Sequence, residues 1–140
     1  MGRDASRVIV RLRCATVDEM RLALADCLAT EARNATVVAT LDAQVEEQRL
    51  AAAALGADDA AVDAFAGWLV RHRSALDQAR ADLERSIAET HRARAALAAA
   101  QSARDTAESF HEEQKRRNLA ADDRAAEQQT GDDIARRRPA

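Results

Sequence analysis

The amino-acid sequence predicts an all-α chain, two long helices forming an antiparallel coiled-coil hairpin in which the second helix is longer and overhangs the first. Three observations carry this expectation. Alanine, arginine, glutamate, glutamine and leucine are abundant, all good helix formers, and the single proline, Pro139, stands near the end. Apolar residues recur at an average of 3.5 positions over long stretches, the period of a supercoiled helix. One short turn signal, around Gly56, interrupts that pattern.

The first helix is expected over residues 7–55, with Asp4 or Ser6 as its cap. Its seam starts from Val10, Val17, Leu24, Glu31, Val38, Val45 and Ala52. The companion positions are Met20, Cys27, Asn34, Leu41, Gln48 and Leu55. Glu31 and Asn34 put a polar layer into that stripe, which either fixes register at some cost in stability or is a tolerated weak layer. The turn falls on Leu55-Gly56-Ala57-Asp58-Asp59, residues 56–60 being the connection. Gly56 suits the left-handed conformation that ends a helix, and an aspartate suits the cap of the next. So short a connection makes the two helices antiparallel neighbours.

The second helix is expected over 61–129. Its seam runs through Val62, Phe65, Leu69, His72, Leu76, Ala79 and Leu83, then Thr90, Ala93, Leu97, Ala100 and Ala107. Phe110 and Leu119 leave that frame, so a register shift is expected near 104–110. Gly131 is expected to break the helix, leaving a basic tail over 130–140. The whole is a single coiled-coil domain. Its last turns have no counterpart in the first helix, and a lone amphipathic overhang is marginal in water.

Composition explains why the predicted fold is a seam. Hydrophobic residues make up 47% of the chain, but 36 alanines supply more than half of that share. A buried Leu, Val or Phe contributes roughly 1.5–3 kcal/mol, whereas alanine has one methyl group to bury. Aromatics are limited to Phe65, Trp68 and Phe110. A thin inter-helix seam is within reach of this composition, and a thick core is not.

The same reading narrows function. Formal net charge is −3 with both signs interspersed, which disfavours nucleic acid as a partner. No run of eighteen apolar residues is present, so direct membrane insertion is not expected. Met1-Gly2-Arg3-Asp4-Ala5-Ser6 matches a myristoylation pattern, read here as chance. Cys14 and Cys27 lie on one helix about 20 Å apart, too far for a disulfide and wrongly spaced for zinc, which suggests reduced thiols in a cytoplasmic protein. His72, His91 and His111 form no metal-binding pair. Glu112 with Glu113, and Asp122 with Asp123, are adjacent residues that do not face each other on a helix. No catalytic, metal or cofactor residue is therefore expected, and a two-helix rod offers no pocket for an enzyme. Protein binding is the expected role.

One stretch resembles a known family. Trp68-Leu69-Val70-Arg71-His72-Arg73-Ser74-Ala75-Leu76-Asp77-Gln78-Ala79-Arg80-Ala81-Asp82-Leu83 is similar to the segment just after the turn in the FliJ family, where an aromatic opens an apolar run ending in Arg-x-x-Leu. The ending also resembles that family's: Ala121-Asp122-Asp123-Arg124, then Asp132-Asp133-Ile134-Ala135 and a basic run. FliJ-like proteins are soluble components of the flagellar type III export apparatus, stalk-like coiled coils related to the stalks of virulence secretion systems. The resemblance implies three partners: a hexameric export ATPase whose assembly the stalk promotes, a membrane export gate protein, and export chaperones. It also implies a cytoplasmic location at the inner-membrane export apparatus and a chain that is monomeric when free.

The family's gate-contacting patch is an aromatic, a Leu, an Ala and a His. Trp68 and Ala75 keep the first and third, while His72 and Ala79 stand where Leu and His occur in the family. The ATPase contact would fall on the rod ends, at Arg7, Arg11 and Arg13 on the first helix and Arg116, Arg117, Leu119 and Arg124 on the second. Arginine suits carboxylates lining a pore. A generic self-associating coiled coil, and the equivalent stalk of a virulence system, are the alternatives.

Overall fold

A computed structural model of the chain describes residues 2–54, 56 and 58–139. It contains two helices, α1 (Gly2–Ala54) and α2 (Asp59–Arg137). The turn forms as its residue types dictate. Gly56 adopts a left-handed φ of 75° and donates its N–H to the Ala53 carbonyl at 3.3 Å, closing α1. Asp58 caps α2, its Oδ1 accepting from the Ala60 N–H at 3.1 Å. Leu55 and Ala57 of the expected turn lie outside the described residues.

Both helices outrun their expected limits. α1 starts at Gly2, with Asp4 in its first turn. Ser6 is therefore no cap: it lies inside the helix and is buried. α2 passes through Gly131 without a break and ends at Arg137, so most of the expected tail is helical. One exposed glycine costs a helix only about 1 kcal/mol relative to alanine. Arg136 and Arg137 in the last turn oppose the negative end of the helix dipole.

The chain divides into two compact units. One is residues 20–97, holding the turn; the other combines 1–19 with 98–140. Within the first, the helices are antiparallel: Asn34 Nδ2 donates to the Asp82 carbonyl at 3.3 Å, and Leu41 pairs with His72 further back along α2. On α1 of this unit the least exposed residues are Met20, Leu24, Cys27, Glu31, Asn34, Val38, Leu41, Val45 and Ala52, all on the expected stripe, with Thr30 beside it. Gln48, expected on it, is exposed. On α2, Leu69, His72, Leu76, Ala79, Leu83, Thr90, Ala93 and Leu97 face inward as expected. Ser86 completes the series, buried to 4% exposure with its hydroxyl donating to the Leu83 carbonyl. Val62 does not join, being 53% exposed. Ala61, Phe65 and Leu69 carry the line instead, in two four-residue steps that rotate it by one position.

In the other unit the seam is narrower. Val17 is almost fully buried at 1%, and Ala100 and Ala107 are its buried counterparts on α2. The expected register shift near 104–110 does not occur. The frame continues through Arg104, Ala107, His111, Gln114 and Asn118 at alternating steps of three and four, all at least half-buried. Phe110 and Leu119, which suggested the shift, stand off the seam at 54% and 64% exposure. The stripe changes from apolar to polar without changing register. Beyond Ala120 every described residue is exposed.

Two outcomes follow. Val17→Ala should cost about 2 kcal/mol in urea unfolding, the transfer term for two buried carbons plus a small cavity, while Phe110→Ala should be nearly neutral. Hydrogen exchange should be fast over 121–137 and slower at Ala100–Ala107; uniform protection across both would contradict this account.

Candidate functional site

Two places carry the residues singled out by sequence. The first lies in the unit 20–97, near the turn. His72 occupies a seam position, and its Nε2 lies 2.8 Å from the Leu41 carbonyl across the helix pair. A carbonyl only accepts, so Nε2 carries the proton and donates. Trp68 stacks on the His72 ring at 4.4 Å between centroids and 19° between planes. Phe65 stacks on Trp68 in turn at 6.1 Å. The three rings form a ladder along one side of α2. His72 and Ala79 are buried, Trp68 is half-buried and Ala75 is exposed. Of the four residues at family patch positions, then, Trp68 and Ala75 offer surface to a partner, and His72 and Ala79 belong to the internal seam.

The seam residues Val17, Leu24, Val38, Leu41, Val45, Leu69, Leu76 and Leu83 are all buried or half-buried. A lateral notch opens beside the polar layer at Asn34, lined also by Thr30, Asp82 and Ser86. Asn34 stands on the stripe that the spacing predicts, whereas Ser86 does not register there, because a serine carries no apolar signal.

The second place is the unit of 1–19 with 98–140. Ser6 and His111 meet across the helix pair, Oγ to Nδ1, at 2.8 Å. A serine beside a histidine has the form of a nucleophile and its base. Ser6 is only 3% exposed, but it and His111 both border an open groove. The pair is a polar layer of the seam. The pair lines that groove, of about 760 Å³, together with Arg7, Arg116 and Leu119. The structure thus brings together three of the seven residues proposed for ATPase contact. Arg11, Arg13, Arg117 and Arg124 are exposed but do not line the groove.

The arginines differ in how they are held. Arg116 and Arg117 both bind Glu113, at 3.0 and 3.1 Å. Their hydrogen bonds hold the Glu113 carboxyl below the usual glutamate range. Arg7, Arg11 and Arg13 make no side-chain ion pair among the described residues. No group of three His, Cys, Asp or Glu among the described residues could hold a metal ion. No helix among them is long and apolar enough to cross a membrane.

The chain matches no family model, no characterised relative and no solved structure at a significant level.

Replacing His72 by alanine leaves the Leu41 carbonyl without its cross-helix donor and removes the ring beneath Trp68. Chemical denaturation should show a loss of about 1–3 kcal/mol, with His72→Gln recovering part of it. Glu113 sits lower in the fold than in the unfolded chain, so its contribution is present above the unfolded value. It disappears as pH falls through the folded value. A carboxyl titration by NMR should place the Glu113 midpoint below that of an unperturbed glutamate, and Arg116→Ala with Arg117→Ala should return it to the ordinary range.

Proposed function

We propose that this chain is a non-enzymatic stalk of a type III protein export apparatus, flagellar in the first instance. It would bind a hexameric export ATPase through the unit of 1–19 with 98–140. The observation that carries the reading is the character of that unit: Arg7, Arg11 and Arg13 are exposed and make no ion pair among the described residues, Arg7 lines the groove, and α2 runs on from Ala121 with every described residue exposed. A helix end with cations lacking internal partners suits insertion among carboxylates, where guanidinium groups bind with two parallel hydrogen bonds. The similarity of the Trp68–Leu83 stretch to the FliJ family supports the same reading. Trp68 and Ala75 would then touch the membrane export gate, and export chaperones would be further partners. The chain would act in the cytoplasm beside the inner-membrane apparatus. The equivalent stalk of a virulence system has the same physics with other cargo.

The test is ATP hydrolysis by the export ATPase of the same organism, titrated with this chain while light scattering follows ring formation. The expected result is a rise in both rate and hexamer fraction, lost in an Arg7→Glu/Arg11→Glu/Arg13→Glu variant that keeps its helicity. No change in either quantity at saturation rejects the reading.

A further inference from the structure

The outward side of α2 in the unit 20–97 carries a charge pattern that the internal seam does not use. On the side of the helix opposite the seam, the same seven-residue frame places Gly67, Ser74, Ala81, Ala88 and Ala95 on one line. Asp77 and Glu84 flank that line on one side, and Arg71, Arg85 and Arg92 on the other. One step further round, Arg73, Arg80 and Arg94 lie beyond the acids, and Asp82 and Glu89 lie beyond the arginines. All ten charged residues from Arg71 to Arg94 obey this order, with the acids on two lines and the bases on two others.

The outermost lines border α1, as the 3.2 Å pair between Arg80 and Asp42 demonstrates. The inner lines point away from it. Arg71, Asp77, Glu84, Arg85 and Arg92 are all exposed. Arg85 pairs with Asp82 on its own helix. The side chains of Arg71, Asp77, Glu84 and Arg92 make no ion pair among the described residues.

This arrangement is complementary to itself in one orientation only. When two identical helices meet parallel about a two-fold axis, the left flank of each lies beside the right flank of the other. Val70 and His91 share the acid line and Gln78 the arginine line, so in register Glu84 lies level with Arg85 of the other helix on both sides of the contact, and Asp77, level with Gln78, reaches towards Arg71 about 9 Å along the axis. Antiparallel pairing sets each flank against its own copy, acid on acid and arginine on arginine. The small residues between the flanks let the backbones approach until the pairs can form. We propose that this chain self-associates through the outer face of α2 in the unit 20–97. A second copy docks parallel and in register, held by acid–arginine pairs across the line from Gly67 to Ala95. The expectation of a monomer gives way to a concentration- and salt-dependent dimer. The inference goes beyond the export reading, and either stands if the other fails.

The experiment uses the full chain in a Cys14→Ala/Cys27→Ala background, with Ser74→Cys and Ala88→Cys introduced separately. Positions 74 and 88 are about 21 Å apart along a helix. Parallel pairing in register brings each new cysteine against its own copy, so each variant alone should form a disulfide-linked dimer. Antiparallel pairing about Ala81 would link the two only when they are mixed. Sedimentation equilibrium should show dissociation promoted by salt. Asp77→Arg/Glu84→Arg should weaken self-association by about tenfold or more, and so should Arg71→Glu/Arg85→Glu/Arg92→Glu. Mixing these two variants should restore dimers. Circular dichroism checks that each variant stays helical. A chain that is monomeric at every concentration, or cross-links found only in the mixture, overturns the proposal.

Discussion

Everything in this molecule depends on how little a two-helix seam can bury, least of all where it narrows to alanine at Ala100 and Ala107. Where a layer is alanine the helices can come close, yet it has only a methyl group to remove from water. Stability per layer is small, so the chain gathers it over many layers, and it inserts polar ones where geometry supplies a partner. Asn34 finds the Asp82 carbonyl, His72 the Leu41 carbonyl and Ser6 the His111 ring. Each is a bond between helices that a purely apolar layer would lack. Buried polar groups left unpaired would be costly, and among the described residues no buried side-chain polar atom lacks a partner.

Much of the fold was legible in the sequence because the helix period is set by local chemistry. The turn at Gly56 and the stripe from Met20 to Val45 follow directly from residue type and spacing. Legibility ended where the seam became polar. A reading that follows apolar residues tracks Phe110 and Leu119 and infers a shift, while the helix follows His111, Gln114 and Asn118. Ser86 escaped for the same reason. Gly131 misled differently: a single glycine is a weak breaker when a basic last turn favours the helix beyond it.

The candidate sites were legible only in part, and the reason is again the seam. Spacing set Trp68, His72, Ala75 and Ala79 on one side of a helix, but it could not say which of them α1 would cover. The packed pair leaves Trp68 and Ala75 available. The end arginines were named by type. What composition could not reveal is that Arg116 and Arg117 are engaged by Glu113 while Arg7, Arg11 and Arg13 are not. The unit thus carries two kinds of exposed cation, one held by a carboxylate and one with no ion pair among the described residues.

The stack of Trp68 on His72 has an optical consequence. Trp68 is the only indole, and tyrosine is absent, so nearly all near-ultraviolet absorbance and emission arise from one ring. That ring lies 4.4 Å from an imidazole whose proton bonds to the opposite helix. Its emission therefore reports whether α1 and α2 are closed beside the turn, and is silent about the other unit. One unit of the molecule carries its own spectroscopic gauge, without any label.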